Sequence, residues 1–281
     1  MQIVAIGDKV PLGTYHLHSR FAHVVNYQNE SSIISFVDNE KNLSGRTLFV
    51  SELPRGKDPV VVCRADVAVA QTRVSRARAH RYDSAFEGFS PEQDCTTLID
   101  TMKSVLDGPV PDRSLAVLYH SRHRPAFSSA FEKAVLDRFS QAFETLKKGD
   151  ILGSVEQFKG VGFGLTPSGD DFIIGLLYAL SSLTSSETVC SIKKEILEMT
   201  SSCTTLSRQF MRDAEAGVYS KDIKELFIAA RCGDEDGMNQ RLLDILHHGH
   251  SSGADTIAGM VAGFEWFFTQ RHSEAAGRTR G

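Results

Sequence analysis

Two stretches of the sequence, GVGFGLTPSGDDFIIG at residues 160–175 and GHSSGADTIAG at 249–259, decide how the rest is read. With Ser168 placed on Ser252, 84 residues later, Gly169 meets Gly253, Asp171 meets Asp255, Ile173 meets Ile257 and Gly175 meets Gly259. Each copy runs from a loop composition into an apolar helix. The pattern reads as two equivalent loop-to-helix entrances facing each other across a pseudo-symmetric site.

The local chemistry has two readings. Ser168 and Ser252 are expected N-caps, with Asp171 and Asp255 three residues on, the spacing of a capping box. In the plain version both copies only cap helices, and Gly175 and Gly259 let two buried helices approach closely. Three features favour a ligand site. The first copy is preceded by G-x-G-x-G, which a cap does not need; the same Gly and Asp recur; and the helices that follow are apolar on most faces, so their N-termini point out of a core. Glycine-rich loops expose backbone N–H groups, and helix N-termini carry partial positive charge, so both suit phosphate or carboxylate.

On this reading Gly162, Gly164, Gly169 and Gly253 supply close backbone approach. Thr166, Ser168, Ser251 and Ser252 supply hydroxyl contacts. Asp171, Asp255 and His250 are the candidate catalytic groups, His250 as a proton donor or oxyanion contact. The loop is neither a P-loop, because no Lys follows the glycines, nor a dinucleotide fingerprint, because the glycine spacing is wrong. Asp170 and Asp171 would repel an anion at the same N-terminus. They either face away as caps, hold a cation such as Mg²⁺, or accept hydrogen bonds from an amide or ureido NH₂ group. No metal ligand set is assigned, and Mg²⁺ is the only cofactor considered.

Working outward from these motifs, helices are expected at 188–199, 206–216, 221–230 and 236–247. A further helix enters through Ser90-Pro91-Glu92-Gln93, with Pro91 at its first position. Phe127, Phe131, Val135, Phe139 and Phe143 recur every four residues, the apolar stripe of a long helix over 127–146. The first third is different. Short β-branched runs at 24–25, 33–37, 47–50 and 60–63 are separated by turn compositions, and the first ten residues read as a strand rather than a signal peptide. Residues 73–82 (RVSRARAHRY) read as a helix or a connecting arm. The expected fold is α+β: an N-terminal antiparallel β sheet or small barrel over 1–85, a mostly α-helical domain over 86–270 carrying both motifs, and a flexible tail over 271–281.

Composition narrows the function classes. Of 281 residues, 31 are Lys or Arg and 35 are Asp or Glu, for a formal net charge of −4. That leaves no concentrated basic surface for sequence-independent nucleic-acid binding. The five cysteines form no C-x-x-C pair, which points away from a zinc ribbon or disulfide framework and toward a reducing cytoplasm. Apolar stretches are too short or interrupted to span a bilayer. Secondary candidates are Arg122 and Arg124, the pair Arg208 and Arg212 as an anion clamp, His247 with His250, Cys203 as a nucleophile, and a basic face of Arg73, Arg76, Arg78 and Arg81.

GFGLTPSGDDFIIG followed about 80 residues later by GHSSGAD resembles the AllH-like family, and His18 to Phe21 with Val25 and Asn26 is similar to that family's N-terminal pattern. The resemblance runs over about residues 15–268. It implies a subunit of oxamate carbamoyltransferase acting with other subunits in purine (allantoin) breakdown, on oxalurate and phosphate to give oxamate and carbamoyl phosphate. Such ligands match the residues: carboxylate or phosphate for N–H groups, ureido NH₂ for carboxylates. The alternatives are a non-catalytic assembly or ligand-sensing subunit, and a metal-dependent hydrolase using Asp170, Asp171, Asp255 and His250.

Overall fold

The computed structural model describes residues 1–90, 93, 95–162, 164–183 and 186–278, with side chains described through 271. The chain divides into two compact units, one of residues 1–86 with 218–224 and the other of 87–217 with 225–281.

The first unit is a curled nine-stranded sheet of half-barrel form. Its strands are β1 (Ile3–Gly7), β2 (Gly13–Arg20), β3 (Val24–Gln28), β4 (Ile33–Val37), β5 (Thr47–Val50), β6 (Val60–Val62), β7 (Asp66–Val69), β8 (Thr72–Ser75) and β9 (His80–Tyr82). Across the sheet they run β8-β7-β6-β2-β3-β4-β5-β1-β9. Most pairs are antiparallel, as expected, but β4 pairs with β5 and β1 with β9 in parallel. The concave side buries Tyr15, Val25, Tyr27, Ile34, Phe36, Leu48, Val50, Val60 and Val67. Alternating β-branched and aromatic side chains put one face of each strand into this core.

Residues 73–82 hold no helix: 73–75 end β8, 80–82 form β9, and 76–79 are the short turn that connects them. β7 and β8 pair as a hairpin with Val69 opposite Thr72, closed by Ala70 and Gln71. Ala70 sits at φ +53°, a conformation usually signalled by Gly or Asn. Without that residue the turn is silent in the sequence. Ala70→Gly is expected to raise unfolding free energy by about 0.5–1 kcal/mol; urea melts of the two proteins check it.

The second unit holds α1 (Thr96–Asp107), α2 (Ala130–Lys147), α3 (Ile151–Phe158), α4 (Ser168–Ser182), α5 (Glu187–Met199), α6 (Thr205–Glu215), most of α7 (Lys221–Cys232), α8 (Glu235–Leu246) and α9 (Ser252–Arg278). The four helices expected at 188–199, 206–216, 221–230 and 236–247 are α5 to α8, within two residues at each end. α1 begins at Thr96, five residues later than the expected Pro91 start; Pro91 and Glu92 lie outside the described residues. α9 continues into the expected tail, to Arg278, and residues 279–281 are outside the described ones.

The phenylalanine stripe is core over only part of its length. α2 starts at Ala130 through a capping box of Ser129 and Glu132, so Phe127 precedes the helix, and Phe131 is exposed. Phe139 stacks on Phe158 of α3, which stacks on Phe172 of α4 with centroids 4.1 Å apart. This ladder fixes α3 and the start of α4 on α2. Among the described residues no helix is long and apolar enough to cross a membrane.

Candidate functional site

α4 and α9 pack side by side in the same direction. Their entrances meet, their glycines meet about two turns further on, and Ala179 meets Gly263 beyond that. A Cβ on Gly175 would lie 2.0 Å from the Thr256 carbonyl oxygen; one on Gly259 would lie 2.0 Å from that of Phe172. These are equivalent contacts under the 84-residue offset. Only hydrogen at both positions lets the two backbones touch.

The repeat reaches further back than the two motifs. Gly149-Asp150-x-x-Gly153 recurs at the same offset as Gly233-Asp234-x-x-Gly237. Asp150 caps α3 by accepting from the Gly153 N–H (2.8 Å), and Asp234 caps α8 by accepting from the Gly237 N–H (2.9 Å). Thus α3-α4 and α8-α9 are two copies of one helix pair. The G-D-x-x-G spacing was the available signal for this extension. The copies differ where α8 runs on to Leu246 while α3 stops at Phe158. There the glycine loop intervenes. At Gly162, with φ +119°, a Cβ would press on the Ser168 backbone nitrogen at 2.6 Å, so the loop folds back onto the α4 entrance only because the residue is glycine.

The expected capping boxes do not form. Ser168 and Ser252 are the first residues of their helices, not N-caps, and α4 starts at Pro167 without a side-chain cap. Placed one position into the helix, each serine faces the other motif instead. The Ser252 hydroxyl lies against Asp171, and the Ser168 hydroxyl lies against Asp255. Thr166 also donates to Asp171 (3.1 Å), the Leu115 N–H donates to Asp255 (2.6 Å), and Ser251 faces Asp255. Both carboxyls are buried, while Thr166, Ser251 and Ser252 are only half-buried. The result is a buried acidic floor under a rim of hydroxyls.

Electrostatics follow from that placement. Burial pushes the Asp255 carboxyl up to about 7, against the Leu115 N–H and the Ser168 and Ser251 hydroxyls, which favour its charge. Burial also carries Asp171 well above the carboxylate range, and the charge of Asp255 adds to it, opposed by Ser252 and Thr166. Two parallel helix N-termini bring partial positive charge to the same place, but no cationic side chain is among the groups that set either carboxyl. Both carboxyls are thus held above the ordinary carboxylate range chiefly by burial.

Other candidates are placed as follows. Asp170 is turned away from the pair: it accepts from the Gly160 N–H (2.7 Å) and the Cys203 thiol (3.4 Å) and so anchors the glycine loop. Burial first, then Asp170, pushes that thiol up to about 12, which removes it as a nucleophile. The Gly169 and Gly253 N–H groups are bonded within the chain, to Val161 and His248 carbonyls, and both glycines lie against backbone. Gly164 turns the exposed loop at φ +93°. His250 is exposed on the turn before α9, and His247 bonds the Leu243 carbonyl. Arg122 pairs with Asp107 at the end of α1, Arg208 donates to the Ser201 carbonyl, and Arg73 pairs with Asp66. Among the described residues no group of three or more His, Cys, Asp or Glu is placed to hold a metal ion.

Residues 158–264 match the family model described as oxamate carbamoyltransferase subunit AllH. The match spans both Ser-Gly-x-Asp entrances; the N-terminal part of the expected resemblance lies outside it. No curated protein and no solved structure matches the chain.

Proposed function

We propose that this chain is a subunit of an oxamate carbamoyltransferase-like enzyme, proceeding from the family match over residues 158–264. Its paired helix entrances bind a small anion bearing a carbamoyl, carboxylate or phosphate group, of the kind found in oxalurate, oxamate and carbamoyl phosphate. The observation that carries this reading is the reciprocal crossing of Ser168 to Asp255 and Ser252 to Asp171 at two converged helix N-termini. A pair of caps needs no such exchange between motifs.

Chemically, the site offers hydroxyl donors at the rim, positive helix ends beneath, and carboxyls that accept from an amide NH₂ when ionised and donate when neutral. Its contribution to carbamoyl transfer is positioning and charge stabilisation. Asp171 and Asp255 are the acid–base groups of this reading, and the remaining catalytic groups come from partner subunits. The reading places the work in the cytoplasm, in purine breakdown.

Calorimetry on the purified chain tests it. At least one of phosphate, carbamoyl phosphate, oxamate and oxalurate is expected to bind, and Thr166→Val or Ser252→Ala is expected to weaken it about tenfold or more, the scale of one lost hydrogen bond to a charged group, with little change in melting temperature. A non-catalytic assembly role is favoured by one observation: the Gly169 and Gly253 N–H groups are already used within the chain. No heat from any of the four ligands would overturn binding by this chain and leave the assembly role as the better reading.

A further inference from the structure

The rim hydroxyls and the buried carboxyls share the same hydrogen bonds. Thr166 and Ser252 both engage Asp171, and Ser251 engages Asp255, and all three hydroxyls are half-buried above carboxyls that are sealed. A hydroxyl has one proton to donate. An ionised carboxylate is acceptor-only, so it draws those protons inward and leaves lone pairs facing the rim. A neutral carboxyl donates one hydrogen bond itself, so one of the hydroxyls touching it accepts, and its own proton is free to point outward.

We propose that the Asp171–Asp255 pair sets the direction of the Thr166, Ser251 and Ser252 hydroxyls, so that this site takes up an anion together with a proton. The inference rests on the binding site proposed above and adds a specificity rule to it: the site is an anion receptor when the pair is neutral and repels anions when the pair is charged. Two observations beyond the helix ends support it. Asp255 Oδ2 and Ser168 Oγ are both sealed from solvent without a well-formed hydrogen bond among the described residues, an arrangement that a proton on the carboxyl completes. Burial, moreover, pushes the Asp255 carboxyl up to about 7 and carries Asp171 well above the ordinary carboxyl range.

The surrounding charges are few. On α4, Asp170 adds to the rise of Asp171 and is occupied by the Gly160 N–H and the Cys203 thiol. Beyond α3, the Lys159 ammonium pairs with Glu156 and bonds the Met199 carbonyl. Preceding α9 are His248, half-buried, and His250, exposed. The segment Leu115–Leu118 presents a backbone N–H to Asp255.

The test uses the whole chain with oxamate and inorganic phosphate as probes. Affinity is measured by calorimetry from pH 6 to 9 in two buffers of different ionisation enthalpy. The expected result is net proton uptake on binding, and affinity falling about tenfold per pH unit above about 7, where Asp255 ionises. The double replacement D171N/D255N, or either single one if the double does not fold, keeps a donor NH₂ in place of the neutral carboxyl. Because both side chains belong to the proposed site, its affinity is expected to change; the readout is the loss of net proton uptake on binding and of the pH dependence. Carboxyl titration by ¹³C NMR of Asp-labelled protein without ligand is the independent readout. If both carboxyls are ionised at pH 6, or if affinity is flat with pH in the wild type, the proposal is overturned while the binding site stands. If the carboxyls titrate near neutrality and neither probe binds, the binding site and the proposal fall together.

Discussion

Gly175→Ala is expected to destabilise the protein by about 3 kcal/mol or more, against an intrinsic helix preference that favours Ala over Gly by about 1 kcal/mol. The added Cβ would sit 2.0 Å from the Thr256 carbonyl oxygen, 2.9 Å from its carbon and 2.9 Å from the Met260 nitrogen. These are backbone atoms on an opposing helix, so no rotamer change can relieve them; α4 and α9 must move apart. Separation would also pull Ser168 from Asp255 and Ser252 from Asp171, leaving sealed carboxyls without their partners. Gly259→Ala makes the equivalent clash with Phe172 and is expected to cost as much. The double variant should lose less than the sum, because one separation relieves both clashes. Chemical denaturation and a melting temperature lowered on the order of 10 °C would register the effect. A variant as stable as wild type would show that the two helices part at no cost and that backbone contact does not require glycine here.

Stability should also depend on pH through Asp255. Its folded pKa, about 7, lies above the ordinary 3.8. The neutral form therefore favours the folded state, and that stability is fully present below about pH 4 and lost as pH rises through about 7. At about 1.4 kcal/mol per pKa unit the loss is on the order of 4 kcal/mol. Asp255→Asn removes the titration while keeping an acceptor for the Leu115 N–H. Relative to this variant, the wild type is expected to lose a few kcal/mol between pH 5 and pH 8, measured by urea unfolding at both. A difference that stays constant across that range would mean the carboxyl is not held near neutrality by its burial.

How much of this was legible varies by element. Strands β4 and β5 and helices α5 to α8 were readable because their compositions are local signals; the structure adds the caps Ser186, Thr204 and Asp234 to three of these helices. The β7-β8 hairpin was not, because Ala70 adopts a glycine-like φ without being glycine. One member of the phenylalanine stripe misled: Phe131 shares the period of Phe139 and Phe143 but is exposed, whereas Phe127, Val135, Phe139 and Phe143 are buried.

For the site itself, the residues alone determined the repeat, the glycines at the helix crossing and the serine–aspartate spacing, all of which are one-dimensional facts. The tertiary structure decided what that spacing is for. A serine three residues before an aspartate can cap its own helix or reach another, and the two are indistinguishable within one turn. Because Gly175 and Gly259 bring the two helices into backbone contact in the same direction, the nearest carboxyl to each serine belongs to the other motif. That exchange, and the burial that raises both carboxyls, arise from packing between segments 84 residues apart, which no local pattern encodes.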